Sequence, residues 1–157
     1  MKPIYLFLFF LIIVAACGKS GADKIPDKIS VDIDGIKTTF NSSATATNGS
    51  ASGLFLLYIS GAQDASVKSN TISFGIANVN AIGIGSYYQS PTGVSMQYVQ
   101  PGTPYVARPT TGPPATVTIT SLAYNNVQGT FSGTVFLNGD TTGAKKVLTN
   151  GEFNLGF

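Results

Sequence analysis

Few side chains in this sequence are able to carry catalysis. Its 157 residues include no histidine, one cysteine and seven carboxylates. Without an imidazole, Ser–His and Cys–His nucleophiles and histidine-ligated zinc are excluded. Asp32 and Asp34 stand two apart, a spacing that puts both carboxylates on one face of a strand and suits acid–base chemistry. Asp34 also directly precedes Gly35, and turn formation explains that pairing more simply. Residues 138–143 place oxygen-bearing side chains at alternate positions, as a calcium loop does, but no glutamate follows at the EF-hand distance. Ser66 and Lys68 form a lone Ser-x-Lys with no further motif around it. The expectation is a protein with no catalytic residue, no metal and no cofactor.

The constellation best suited to binding is aromatic. Tyr87, Tyr88, Tyr98 and Tyr105 fall within or beside a Pro-rich segment, together with Gln89, Gln97 and Arg108, the single arginine of the chain. Flat rings offer stacking faces, while amides and a guanidinium orient a polar ligand such as a glycan. The competing account makes them amphipathic rings at a barrel rim, or rings packed beneath the loop.

Cys17 carries a different chemistry. Residues 4–14 form a continuous apolar run behind Lys2, and Val14-Ala15-Ala16-Cys17 closes it with small residues. That tetrapeptide resembles the lipobox of bacterial lipoprotein precursors, whose cysteine thiol is diacylated before the chain is cut just ahead of it. The apolar run is shorter than the roughly 20 residues a helix needs to span a bilayer. Residues 1–16 are therefore expected to be a cleaved lipoprotein signal peptide, with Cys17 as the site of lipid attachment. Several acyl chains, each contributing about 0.8 kcal/mol per buried CH₂, hold such a protein stably to a membrane. Residues 17–28 read as a lipidated, flexible tether containing glycine and proline. Gly18 follows the lipidated position, and no acidic run follows Cys17. An outer-membrane anchor facing the periplasm is favoured over the cell surface.

The rest of the composition sets limits. A formal net charge of +2, one unit of it from Lys2 in the leader, argues against nucleic-acid binding, which needs a clustered basic face. Charged residues make up 10% of the chain against about 25% in an ordinary globular domain. With Cys17 given to lipid, no intramolecular disulfide is available. Packing and sheet hydrogen bonds must hold the fold alone.

Period-2 alternation runs through residues 29–157. Ile29, Val31 and Ile33 alternate with polar residues, Asp34-Gly35 signals a tight turn, and Ile36, Thr38 and Phe40 continue on a second strand. Residues 41–53 lack periodicity and read as an exposed loop. Residues 54–59 are apolar on both faces and predict a strand covered on both sides. Further alternating runs lie at 72–76, 82–86 and 94–98. Five prolines between 101 and 114 predict a semi-rigid loop that cannot be a central strand. Strands at 117–119, 127–137 and 146–157 complete the domain. The pattern predicts an all-β fold: a single antiparallel domain of roughly nine strands over residues 29–157, either an up-and-down barrel or a β-sandwich.

Ile33-Asp-Gly-Ile36, Ile84-Gly-Ser-Tyr87, Gly129-Thr-Phe-Ser-Gly-Thr-Val135 and Thr149-Asn-Gly-Glu-Phe153 together resemble small β-rich lipoproteins of the Bacteroidota. In those proteins an N-terminal hairpin, a Gly-Tyr strand, a G-T-F-S-G strand and a terminal N-G-x-F strand recur. The resemblance implies an all-β lipoprotein domain and brings no particular activity with it. Two functional readings follow. One is a lipid-anchored envelope protein whose β domain binds a ligand without catalysis, and the other is an accessory subunit of an outer-membrane or surface complex with an envelope-protein partner.

Overall fold

The computed structural model describes residues 27–90, 92–108 and 114–157. The leader, Cys17 and the tether up to residue 26 lie outside the described residues. Eleven antiparallel strands form one sheet: β1 (Lys28–Ile33), β2 (Ile36–Thr39), β3 (Ser42–Ala51), β4 (Leu54–Ala62), β5 (Thr71–Asn78), β6 (Gly85–Tyr88), β7 (Val94–Gln100), β8 (Thr103–Ala107), β9 (Thr116–Ala123), β10 (Asn126–Leu137) and β11 (Lys145–Gly156). The order across the sheet is β2-β1-β11-β10-β8-β7-β5-β4-β3, with β9 and β6 branching from β10. The sheet curls into a half-barrel. The expectation of a single all-β antiparallel domain holds, and its sheet is one curled, barrel-like sheet.

Strand β10 is the fork. Along one side it pairs with β11 for its whole length. On the other side its first half, from Asn126 to Ser132, pairs with β9, and its last residues, from Val135 to Leu137, pair with β8. The alternation read from the sequence sends Val127, Phe131 and Val135 into the core, where each is buried. There Phe74 of β5 meets Phe131 at 4.4 Å and Phe153 of β11 at 5.4 Å between ring centroids. Opposite walls of the half-barrel thus touch through these rings, and the middle of the fold is filled by side chains.

The strands at the two ends of the main path, β2 and β3, are consecutive in the chain. Phe40 and Asn41 connect them and cross the seam of the curled sheet. Phe40 is fully buried, its N–H donates to the Ile29 carbonyl, and the Asn41 side-chain oxygen accepts the Ile29 N–H. The Asp34-Gly35 hairpin turn appears as expected, with φ of 51° and 82° at its two residues.

Three sequence expectations are corrected. Residues 42–51 are a strand, because β4 supplies a hydrogen-bond ladder, unbroken from Thr45 to Ala51, to a segment with no apolar rhythm of its own. Only Ala46 of that strand is buried, so periodicity had nothing to report. Strand β4 is covered on one face only: Leu57 and Ile59 are buried while Tyr58 faces out. Thr103–Ala107, inside the Pro-rich segment, is a central strand between β7 and β10. Pro104 is tolerated because the β8–β10 ladder begins only at Tyr105, and the Pro104 carbonyl still accepts the Asn138 N–H. These two additional strands, β3 and β8, raise the expected nine to eleven. Smaller shifts occur elsewhere. The sheet starts at Lys28, so the tether ends before it, and of the run at 82–86 only Gly85 onward is strand.

Candidate functional site: an apolar cleft at one end of the half-barrel

Strand direction gathers one set of connections at each end of the half-barrel. The first end holds the Ser52-Gly53 turn between β3 and β4, residues 79–84 leading into β6, the Tyr124-Asn125 turn between β9 and β10, and the C-terminal Phe157. A cleft of about 350 Å³ opens there. Phe55, Leu57, Ile82, Leu122 and Phe157 form its apolar walls, and Asn48 and Ser50 contribute polar edges.

The five wall residues come from four pieces of chain, Phe55 and Leu57 sharing β4. Phe55 continues the inward-facing series of Leu57 and Ile59, but it stands beyond the packed core and stays partly exposed. Leu122 lies at the end of β9, paired with Val127 across the ladder. Phe157 follows the last residue of β11 and is held by its N–H donating to the Asn125 carbonyl, 3.2 Å away. Ile82 belongs to the 79–84 connection, which Tyr87 ties down. The Tyr87 hydroxyl accepts the Gly83 N–H at 2.9 Å and donates to the Gly83 carbonyl at 3.0 Å. The cleft is thus built by four segments, none of which carries a motif. The only sequence signal was the apolar character of residues at strand ends, where alternation would have let them turn outward.

The predicted tyrosine platform is divided by the fold. Tyr98 on β7 and Tyr105 on β8 face each other across the ladder with ring centroids 6.1 Å apart, but they are only 3% and 8% exposed. Burial pushes the Tyr98 phenol above its ordinary pKa. Rings enclosed in this way offer no face for stacking, so both are core residues, the packed alternative noted above. Tyr87 and Tyr88 lie on the separate β6 arm. Tyr87 is occupied with Gly83, and Tyr88 is 59% exposed beside Thr116. Arg108 sits past the end of β8, its guanidinium against Gly139. The five residues do not converge on one surface.

The remaining candidates serve the turns at the opposite end. Asp34 accepts the Val147 N–H and pairs with Lys146, each at 2.9 Å. Its carboxyl is held below its usual pKa, first by the Val147 N–H and then by Lys146. Asp32 accepts the side-chain amide of Asn150 at 2.8 Å. Asp140 accepts the Thr142 hydroxyl at 2.7 Å and the Thr142 N–H at 2.9 Å, which lower its pKa in that order. Asp64 binds the N–H of Ser66 at 2.8 Å, and its pKa is lowered as well, through the Ser66 side chain first and then its N–H. A general base working near neutral pH needs a carboxyl raised toward 7, and the shifts at Asp34, Asp64 and Asp140 run the other way. Among the described residues no three metal-ligating side chains come together.

No protein-family model, no curated protein and no solved structure matches this chain.

Proposed function

We propose that this protein is a lipid-anchored, non-catalytic binding protein of the cell envelope that takes an apolar ligand in the cleft at the end of its half-barrel. The observation that carries the binding reading is the cleft itself. Phe55, Leu57, Ile82, Leu122 and Phe157 converge there from four chain segments around about 350 Å³, within the size range of small-molecule sites. Mostly apolar walls with two polar edges suit a hydrocarbon or acyl moiety that bears one polar group. A glycan draws less support, because the rings proposed to stack on it are partly enclosed in the core. The lipobox-like sequence ending at Cys17 supports the anchor, and the outer membrane, periplasmic side, remains the favoured site. The Bacteroidota resemblance, which implies a lipoprotein, agrees with the anchor.

The binding reading is tested with a fluorescent fatty acid and a chain comprising residues 18–157. Saturable binding is expected, weakened by roughly tenfold or more in Ile82→Glu and Leu122→Glu, a loss of at least about 1.4 kcal/mol. Leu122 is partly exposed and Ile82 packs only partly buried against the edge of the core, so circular dichroism is expected to show both variants folded. No saturable binding, or equal binding by both variants, would show that the cleft is not a ligand site.

A further inference from the structure

We infer that the cleft end of the half-barrel is seated on the lipid bilayer, with the apolar rim of the cleft among the acyl chains just below the headgroups. The inference rests on the lipid anchor proposed above and adds an orientation and a contact surface to it.

Three independent observations converge. The first is the rim. Ile84 is 72% exposed, Val79 and Tyr124 are largely or fully exposed, and Phe55, Leu122 and Phe157 are each partly exposed. Single exposed apolar residues are ordinary on protein surfaces, but Phe55, Leu122 and Phe157 line one cleft, and Val79, Ile84 and Tyr124 lie in the connections at the same end of the fold. The second is the distribution of charge. Ser52-Gly53, residues 79–84 and Tyr124-Asn125, the connections at this end, contain no charged residue. The connections at the other end carry Asp34, Asp64, Lys68 and Asp140, with Lys145 and Lys146 at the adjoining start of β11. Charge is thus gathered in the turns of one end, while at the cleft end it is confined to Asp27 and Lys28 where β1 begins.

The third observation is where the chain comes from. Strand β1 runs from the cleft end toward the charged end, so the described chain begins on the cleft side. Asp27 holds that start by accepting the Gly156 N–H at 2.8 Å, one residue from Phe157 of the cleft wall. Nine residues lie between Cys17 and Asp27, and the ten steps across them span at most about 35 Å when fully extended. An anchor at Cys17 therefore joins the domain on its cleft side. A tether this short raises the effective concentration of the rim at the lipid surface, so rim contacts too weak to bind alone still decide the orientation. Tyr124 suits the headgroup level through its amphipathic ring, and Lys28 beside the exit point can extend its ammonium to lipid phosphates. Seated this way, the cleft opens directly to acyl chains.

The chain contains no tryptophan, so one introduced tryptophan reports its own surroundings. Full-length protein, processed and lipidated in cells, is reconstituted into phosphatidylethanolamine/phosphatidylglycerol vesicles with brominated acyl chains. Ile84→Trp and Tyr124→Trp are expected to emit at shorter wavelength and to lose at least half their intensity to bromine. Val67→Trp, in the 63–70 connection at the charged end, is expected to stay water-exposed and unquenched. Protein that sediments with the vesicles but shows unquenched tryptophan at 84 and 124 overturns the seating and leaves the anchor intact. Equal quenching at 67 overturns the orientation. Failure to sediment at all overturns the anchor and the seating together.

Discussion

Gly129 lies directly across the β10–β11 ladder from Phe153, and the Phe153 ring occupies the space a side chain at 129 would need. A methyl group there would stand 2.5 Å from Phe153 Cζ. Two residues along, the arrangement is reversed: Phe131 faces Gly151, and a methyl at 151 would stand 2.8 Å from both Cδ atoms of Phe131. The similar triplets Gly129-Thr-Phe131 and Gly151-Glu-Phe153 run antiparallel, so each glycine receives the other strand's ring. Aromatic rings laid over cross-strand glycines cover the ladder at these two positions. Asn150, with φ of 52°, sits at the irregularity in β11 that breaks its register with both neighbours and adds curl.

From this packing, Gly129→Ala and Gly151→Ala should each cost about 1–3 kcal/mol through overpacking. Phe153→Ala should cost about 3–5 kcal/mol through the cavity it leaves. Urea unfolding measures all three, and a wild-type midpoint for Gly129→Ala would contradict the close approach.

Gly61 closes the seam. A methyl at this position would stand 3.0 Å from Ile29 Cδ1 and 3.3 Å from the Phe40 carbonyl carbon, and nearer still to that carbonyl oxygen. Backbone cannot rotate aside as a side chain can. Gly61→Ala is therefore expected to loosen the Phe40–Asn41 crossing and to destabilise by at least about 1–3 kcal/mol. Hydrogen exchange should show faster exchange at the Phe40 amide, and unchanged protection there would count against this account of the seam.

The Asp34–Lys146 pair predicts a modest pH dependence. The Asp34 carboxyl is held low by the Val147 N–H and by Lys146, so its contribution is complete above the unfolded value of about 3.9 and fades as pH falls through the folded value. Lys146 is held high by its hydrogen bond to Asp34, so its contribution is complete below about 10.4 and fades as pH rises through the folded value. Both groups are partly exposed, and Asp34→Asn should cost no more than about 1 kcal/mol at pH 7. Its acid-side loss of stability should be shallower than in the wild type, and urea midpoints at pH 3 and pH 7 read the difference.

Cys17→Ala should move the protein out of the membrane fraction, because one thiol carries the lipid in the proposed anchor. Fractionation with detection of the full-length chain measures this. Retention of the variant in membranes would remove the anchor.

Much of the fold was legible because burial follows alternation on strands that pack one face. Val127, Phe131 and Val135 were read as one face, and that face is buried. The Asp34-Gly35 hairpin was legible because positive φ at consecutive residues selects those residue types. Strand β3 was not legible, since its pairing comes from β4 and only Ala46 turns inward. Strand β8 was hidden by Pro104, whose missing N–H is harmless only because of where the β10 ladder begins. The tyrosines were found by residue type, but type does not report which ring the walls enclose. Tyr98 and Tyr105 are enclosed because their strands are neighbours whose shared face is the core. The cleft went unread because its walls are single residues at the ends of separate segments.

By itself the sequence determined the all-β class, the strand-and-turn rhythm, the lack of a histidine-based site and the candidate lipid attachment at Cys17. All of these depend on residue type or local spacing, which a linear chain displays directly. Only the tertiary structure decided that β2 and β3 meet across a seam, that β10 forks, and that the apolar strand ends converge on one cleft. It also decided that the cleft lies where the chain enters the domain, with the charged turns at the far end. Those relations depend on strand register and sheet curl, which are set by long-range pairing between residues far apart in the chain.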